Sequence, residues 1–98
     1  MEVKNRRLAR RLSIRQPVQV RGSDPKEGEF EDLSHTQNAS QRGIYFLTQR
    51  MSYRTGMRLH LTIPFIGPGH PKNREYFGQV TRVDPRENGH LGIAVQFL

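Results

Sequence analysis

Leu91-Gly92-Ile93-Ala94-Val95-Gln96-Phe97 has an apolar residue at every second position, with small or polar residues between. Successive side chains of an extended chain point to opposite faces, so this period of two describes a strand with one face in a core. Leu59-His60-Leu61-Thr62-Ile63 repeats the pattern, and Val18-Gln19-Val20-Arg21 begins it after Pro17. Ile44-Tyr45-Phe46-Leu47 is a short run of branched and aromatic residues, and Tyr76 to Val83 reads as a further strand. Glu27 to Leu33 sets Phe30 and Leu33 among Glu27, Glu29, Glu31 and Asp32, which predicts a strand with a strongly acidic face.

Between these runs lie Gly22-Ser23-Asp24-Pro25, Asn38 to Gly43, Pro64 to Pro71 and Asp84 to Gly89, all rich in turn-forming residues. Six short strands joined by such turns, with little or no helix, point to an all-β, closed or nearly closed antiparallel barrel or sandwich. Closure is favoured because a domain this small has little with which to cover two open sheet edges.

The bulk numbers agree with one small domain. Ninety-eight residues hold a single core, and Ile, Leu, Val and Phe make up 24 of them, enough for a charged chain to fold. Cysteine is absent, which excludes disulfides and thiolate metal sites. No secretory h-region opens the chain, so a cytoplasmic location is expected. The net charge of +7 implies anionic partners, and the cations are thirteen Arg against three Lys. Arg offers a planar fork that matches phosphates and the Hoogsteen edge of guanine and also stacks on bases, so the bias suggests nucleotide recognition.

Residues 1–13 carry Lys4, Arg6, Arg7, Arg10 and Arg11 against the single acid Glu2. They are expected to form a mobile basic arm ahead of a barrel domain spanning 14–98. Asn38-Ala39-Ser40-Gln41-Arg42-Gly43 combines short hydrogen-bonding side chains with a glycine that permits close backbone approach, a composition suited to holding a guanine edge or a phosphate. An ordinary turn leading into the Ile44 strand would read the same way.

Taken in order, Arg7-Leu8-Ala9-Arg10-Arg11 and Asn38-Ala39-Ser40-Gln41-Arg42-Gly43 resemble the paired motifs of the PilZ domain family, Arg-x-x-x-Arg followed by Asp/Asn-x-Ser-x-x-Gly. The resemblance continues through Ile44-Tyr45-Phe46, Gly56, Gly78-Gln79-Val80 and the closing Gly92 to Phe97. It implies a six-stranded antiparallel β-barrel of the split-barrel type that binds the bacterial second messenger cyclic di-GMP and signals to a protein partner. It also assigns Arg7 and Arg11, with Arg6 as an auxiliary, to guanine edges, stacking and phosphates, and Asn38, Ser40 and Gly43 to the complementary turn. Ala39 and Arg42 depart from the family's commoner residues, and the helix that often follows the barrel is missing before Leu98, which suggests a minimal domain or a piece of a longer chain.

Neither a catalytic role nor a cofactor is expected. His35, His60, His70 and His90 lack metal-ligand spacing, and Glu27, Glu29 and Glu31 read as an exposed face, not a general acid/base pair. Two other readings compete with the receptor: a PilZ-like adaptor that binds no ligand, and a basic barrel that binds RNA or single-stranded DNA, with Tyr45, Tyr53 and Tyr76 as base-stacking candidates.

Overall fold

The computed structural model describes residues 15–98; the arm of residues 1–13, with Arg6, Arg7 and Arg11, lies outside them. Six strands follow in chain order: β1 (Pro17–Asp24), β2 (Gly28–Ala39), β3 (Gly43–Thr48), β4 (Arg58–Thr62), β5 (Glu75–Pro85) and β6 (Leu91–Phe97). They close into an antiparallel barrel in the order β1-β2-β3-β6-β5-β4, with β4 returning to β1. Among the described residues the only helical element is a single 3-10 turn, Glu87–Gly89.

Alternation dictates the core. Val18 and Val20 of β1, Ile44 and Phe46 of β3, Leu59 and Leu61 of β4, Val80 of β5, and Ile93 and Val95 of β6 all point inward and are buried. Gly22 occupies the next inward position of β1, where the Phe30 ring and Leu59 take the space of its missing side chain. A loop tyrosine and a pair of strand rings finish the enclosure. Tyr53, between β3 and β4, packs edge-on against Phe30 (5.3 Å) and Phe46 (5.7 Å) and donates its hydroxyl to Asp32 Oδ2 at 2.9 Å. Thr48 donates to the same carboxylate oxygen at 2.6 Å. At the other end Tyr76 stacks on Phe97 with centroids 4.7 Å apart.

Two strand boundaries differ from the sequence expectation. β1 runs through Gly22 and Ser23 to Asp24, because the turn is built by Asp24, whose carboxylate accepts the Lys26 N–H at 2.8 Å. Gly22 serves packing, not the turn. β2 does not stop at Leu33 but continues to Ala39 through a stretch whose one fully buried side chain is Thr36. Polar residues on both faces hide that half of the strand from a reading of apolar alternation. Asn38 and Ala39 therefore pair with Tyr45 and Ile44 of β3, and the connecting turn shrinks to residues 40–42.

The registers place the 40–42 turn, the entry of the chain at Gln16 and the exit after Phe97 at one end of the barrel. Gln16 is fixed there by a reciprocal pair of hydrogen bonds: its N–H donates to Thr36 Oγ1 at 3.0 Å, and the Thr36 N–H donates to its carbonyl at 2.9 Å.

Candidate functional site

The Asn38–Gly43 segment is a tight connection held by three hydrogen bonds of its backbone. The Ser40 N–H donates to the Gly43 carbonyl at 2.9 Å, the Arg42 N–H to Ser40 Oγ at 3.1 Å, and the Phe97 N–H to the Arg42 carbonyl at 2.7 Å, tying the turn to the end of β6. With one lone pair used, Ser40 still has its O–H to donate outward. Gly43 is not in the left-handed region. Its role is close approach: a Cβ there would overlap the carbonyl oxygen of Val95 on β6.

Two β-bulges determine what surrounds this turn. In β2, Thr36 pairs with Phe46 and Asn38 with Tyr45, leaving Gln37 as the extra residue. In β5, Val80 pairs with Val95 and Arg82 with Ala94, leaving Thr81 extra. An extra residue reverses the phase of everything after it. Thr36 and Val80 point inward, so without the bulges Asn38 and Arg82 would do so too. Instead both lie on the outer surface, and Asn38, Tyr45, Ala94 and Arg82 form one cross-strand row over β2, β3, β6 and β5.

An open groove of about 510 Å³ follows that row, lined by Asn38, Ser40, Arg42, Tyr45 and Ala94 and bounded by Arg82, Asp84 and Arg86. Arg82 Nε donates to both carboxylate oxygens of Asp84 (2.9 and 3.1 Å), and its guanidinium carbon lies 5.8 Å from the Tyr45 ring centroid. The Tyr45 hydroxyl crosses β6 to donate to Asp84 Oδ2 at 3.2 Å. It passes directly over Gly92, where a Cβ would collide with it. The hydrogen bond from Arg82 holds the Asp84 carboxyl below its ordinary range, helped by the charge of Arg82, the Tyr45 hydroxyl and Arg86, while Asp84 in turn raises Arg82. Three guanidiniums against one carboxylate give the groove a net positive charge.

A larger groove of about 680 Å³ lies across β1, β2, β4 and β5. Glu29 and Glu31 line it beside Arg21 and Arg58, and His60 stacks on the exposed Phe77 ring at 4.9 Å while pairing with Glu75 at 2.7 Å. Its carboxylates suit an anion less well. Among the described residues no group of three or more His, Cys, Asp or Glu is placed to hold a metal ion. None of their helices is long and apolar enough to cross a membrane.

Asn38, Ser40 and Gly43, singled out from the sequence, thus come together on the groove, although Asn38 is presented by a strand and not by the turn. Arg6, Arg7 and Arg11 are outside the described residues. Tyr45, a base-stacking candidate of the nucleic-acid reading, lies in the outer row along the groove, and Arg82, Asp84 and Arg86 carry no sequence signal of their own, because only the bulges reveal which face they occupy. Tyr53 and Tyr76 belong to the barrel interior and its mouth.

Comparison with protein families matches a model described as the PilZ domain over residues 5–98. The chain belongs to the PilZ domain family. The match spans both motifs, and it places the protein among binding and regulatory domains of the cyclic di-GMP receptor type. Comparison with curated proteins finds no match. Among solved structures, the Bacillus subtilis inhibitor of motility (MotI/DgrA) superposes with a TM-score of 0.66 at 19% identity, over 90% of this chain and 40% of that one. At that identity the likeness establishes the PilZ barrel, and this chain spans less than half of the longer protein.

Proposed function

We propose that this PilZ domain is a receptor for cyclic di-GMP, bound between the arginines of the N-terminal arm and the Asn38–Gly43 segment. The observation that carries the reading is the anchoring of Gln16 to Thr36, two residues before Asn38, at the head of a cationic groove. Arg11 lies five residues before that anchor, and five residues of extended chain reach at most about 17 Å. The chain itself therefore keeps the second motif arginine within that distance of the anchor.

The division of labour follows from the groups available. Asn38 and the Ser40 hydroxyl supply short, directional contacts on the barrel, Gly43 lets β3 and β6 close beneath them, and Arg7 and Arg11, with Arg6, supply forks for phosphates and guanine edges from the other side. Closure of the arm over the ligand orders it and creates a new surface for a partner protein.

Isothermal calorimetry with cyclic di-GMP, cyclic di-AMP, GTP and a short single-stranded RNA tests this. One or two cyclic di-GMP per chain, bound selectively, lost in Arg11→Ala and weakened in Ser40→Ala, is the expected result. Folded protein that ignores all four ligands turns the reading to a ligand-free adaptor. Binding of the RNA with a steep salt dependence turns it to nucleic acid.

A further inference from the structure

We infer that Arg82 is a third ligand-binding arginine, contributed by the barrel and held in its binding orientation by Asp84 and Tyr45. The inference rests on the cyclic di-GMP reading but involves residues of neither motif. Arg82 is placed in the same outer row as Asn38 only because both strands carry a bulge ahead of them, in β2 at Gln37 and in β5 at Thr81.

Its guanidinium is held by two groups, a carboxylate and a ring. Asp84 takes Nε with both oxygens, the Tyr45 hydroxyl holds that carboxylate in place, and the Tyr45 ring lies beneath the guanidinium. Among the described residues, neither terminal nitrogen of Arg82 has a hydrogen-bond partner, and 63% of the side chain is exposed. The arrangement leaves the two Nη groups as a coplanar donor pair on a side chain that lines the groove. Such a pair fits two acceptors lying in one plane, as in the nonbridging oxygens of a phosphate diester or the O6 and N7 of guanine. Because the fork is oriented before the ligand arrives, less side-chain freedom is lost on binding.

Asp84 is thus a positioning residue and not a competitor for the arginine, a distinction that gives the proposal its sharpest test. Charge alone predicts that Asp84→Asn, which removes a negative charge from an anion site, tightens binding. Positioning predicts that it weakens binding severalfold and broadens the Arg82 Nε–H resonance relative to that of the wild type. Arg82→Ala is expected to weaken cyclic di-GMP binding by about 10- to 100-fold, the range for hydrogen bonds to charged groups. Arg82→Lys, which keeps the charge without the fork, recovers only part of that loss. Titrations of the wild type with GMP and with ribose 5-phosphate, followed at the Arg82 side-chain resonances, separate a base edge from a phosphate as the group taken.

Calorimetry of the four proteins gives distinguishable failures. Wild type that binds no cyclic di-GMP overturns the parent reading and this one together. Wild type that binds, with Arg82→Ala binding equally well, overturns the assignment of Arg82 alone. Tighter binding by Asp84→Asn overturns the positioning role. Arg82 lies on the exposed face and Asp84 is part-exposed beside it, so the circular dichroism spectra are expected to stay those of the folded barrel.

Discussion

Gly43→Ala should unmake the site through the barrel and not through the ligand. The added Cβ would overlap the Val95 carbonyl oxygen and sit 3.1 Å from the Gln96 Cα, so β3 must withdraw from β6 to admit it. The bonds at risk are the Phe97 N–H to the Arg42 carbonyl (2.7 Å) and the Ser40 N–H to the Gly43 carbonyl (2.9 Å). Two backbone hydrogen bonds at about 1 kcal/mol each, with overpacking of about 1–3 kcal/mol, outweigh the roughly 0.4–1 kcal/mol gained by stiffening the unfolded chain. The net loss is about 3 kcal/mol, a large share of the roughly 5–15 kcal/mol that holds a domain together. For a domain of this size that lowers Tm by roughly 12–24 °C. Urea denaturation followed by far-UV circular dichroism measures it, with calorimetry on the same sample. A variant within about 0.5 kcal/mol of wild type refutes the packing argument. If that stable variant had also lost its ligand, the glycine would matter through direct contact.

Burial raises the Tyr53 phenol above its ordinary range, and the charge and hydrogen bond of Asp32 push the same way. The folded barrel therefore keeps a proton that the unfolded chain releases near pH 10, so the contribution of Tyr53 to stability should be level below about pH 10 and fall by about 1.4 kcal/mol per pH unit above it. Tyr53→Phe should cost about 1.5–3 kcal/mol at neutral pH, by loss of the bond to the Asp32 carboxylate, and show a shallower alkaline decline in denaturation at a series of pH values. Phe46, fully buried between Tyr53 and the strands, is expected to lose about 3–5 kcal/mol on substitution by alanine, read by the same denaturation. Deleting Thr81 lets Arg82 follow Val80 directly, which by strict alternation keeps Val80 inward, Arg82 outward and Val83 inward. The barrel should therefore keep its fold at a cost of about 1–2 kcal/mol, close to the roughly 1 kcal/mol of Thr81→Ala, which loses only the hydroxyl's bond to the Ala94 carbonyl; an unfolded deletion variant in thermal denaturation would refute the assignment of Thr81 as the extra residue.

The strands that were legible in the sequence are those whose inward positions are aliphatic. Leu59, Leu61 and Ile63, and Ile93 and Val95, announce β4 and β6 because burial and period coincide. The far half of β2 was illegible for the opposite reason. Thr36 is its one fully buried side chain, and it is a polar residue that earns burial by bonding Gln16 at the point where the chain enters. Leu33, read with Phe30 as part of the same strand, is 61% exposed, since the two differ by an odd number of positions and must face opposite ways. Of the groove, composition exposed only the Asn38–Gly43 segment, whose residue types are unusual together. Arg82 is one of thirteen arginines, and no count separates it from the rest.

The bulges explain why that separation needs coordinates. A strand of constant period commits each position to core or surface from its first residue, so Thr36 in the core would put the Asn38 carboxamide there as well, an amide with nothing to bond. One extra residue at Gln37 resolves the conflict, and one at Thr81 does the same for Val80 and Arg82. The two insertions lie on the flanking strands β2 and β5, while β3 and β6 between them pair without a shift and carry Tyr45 and Ala94 outward. The row that results has an amide at one end, a guanidinium at the other and a flat, largely apolar floor between. A nucleobase makes the same demands, with hydrogen-bonding edges and an apolar face.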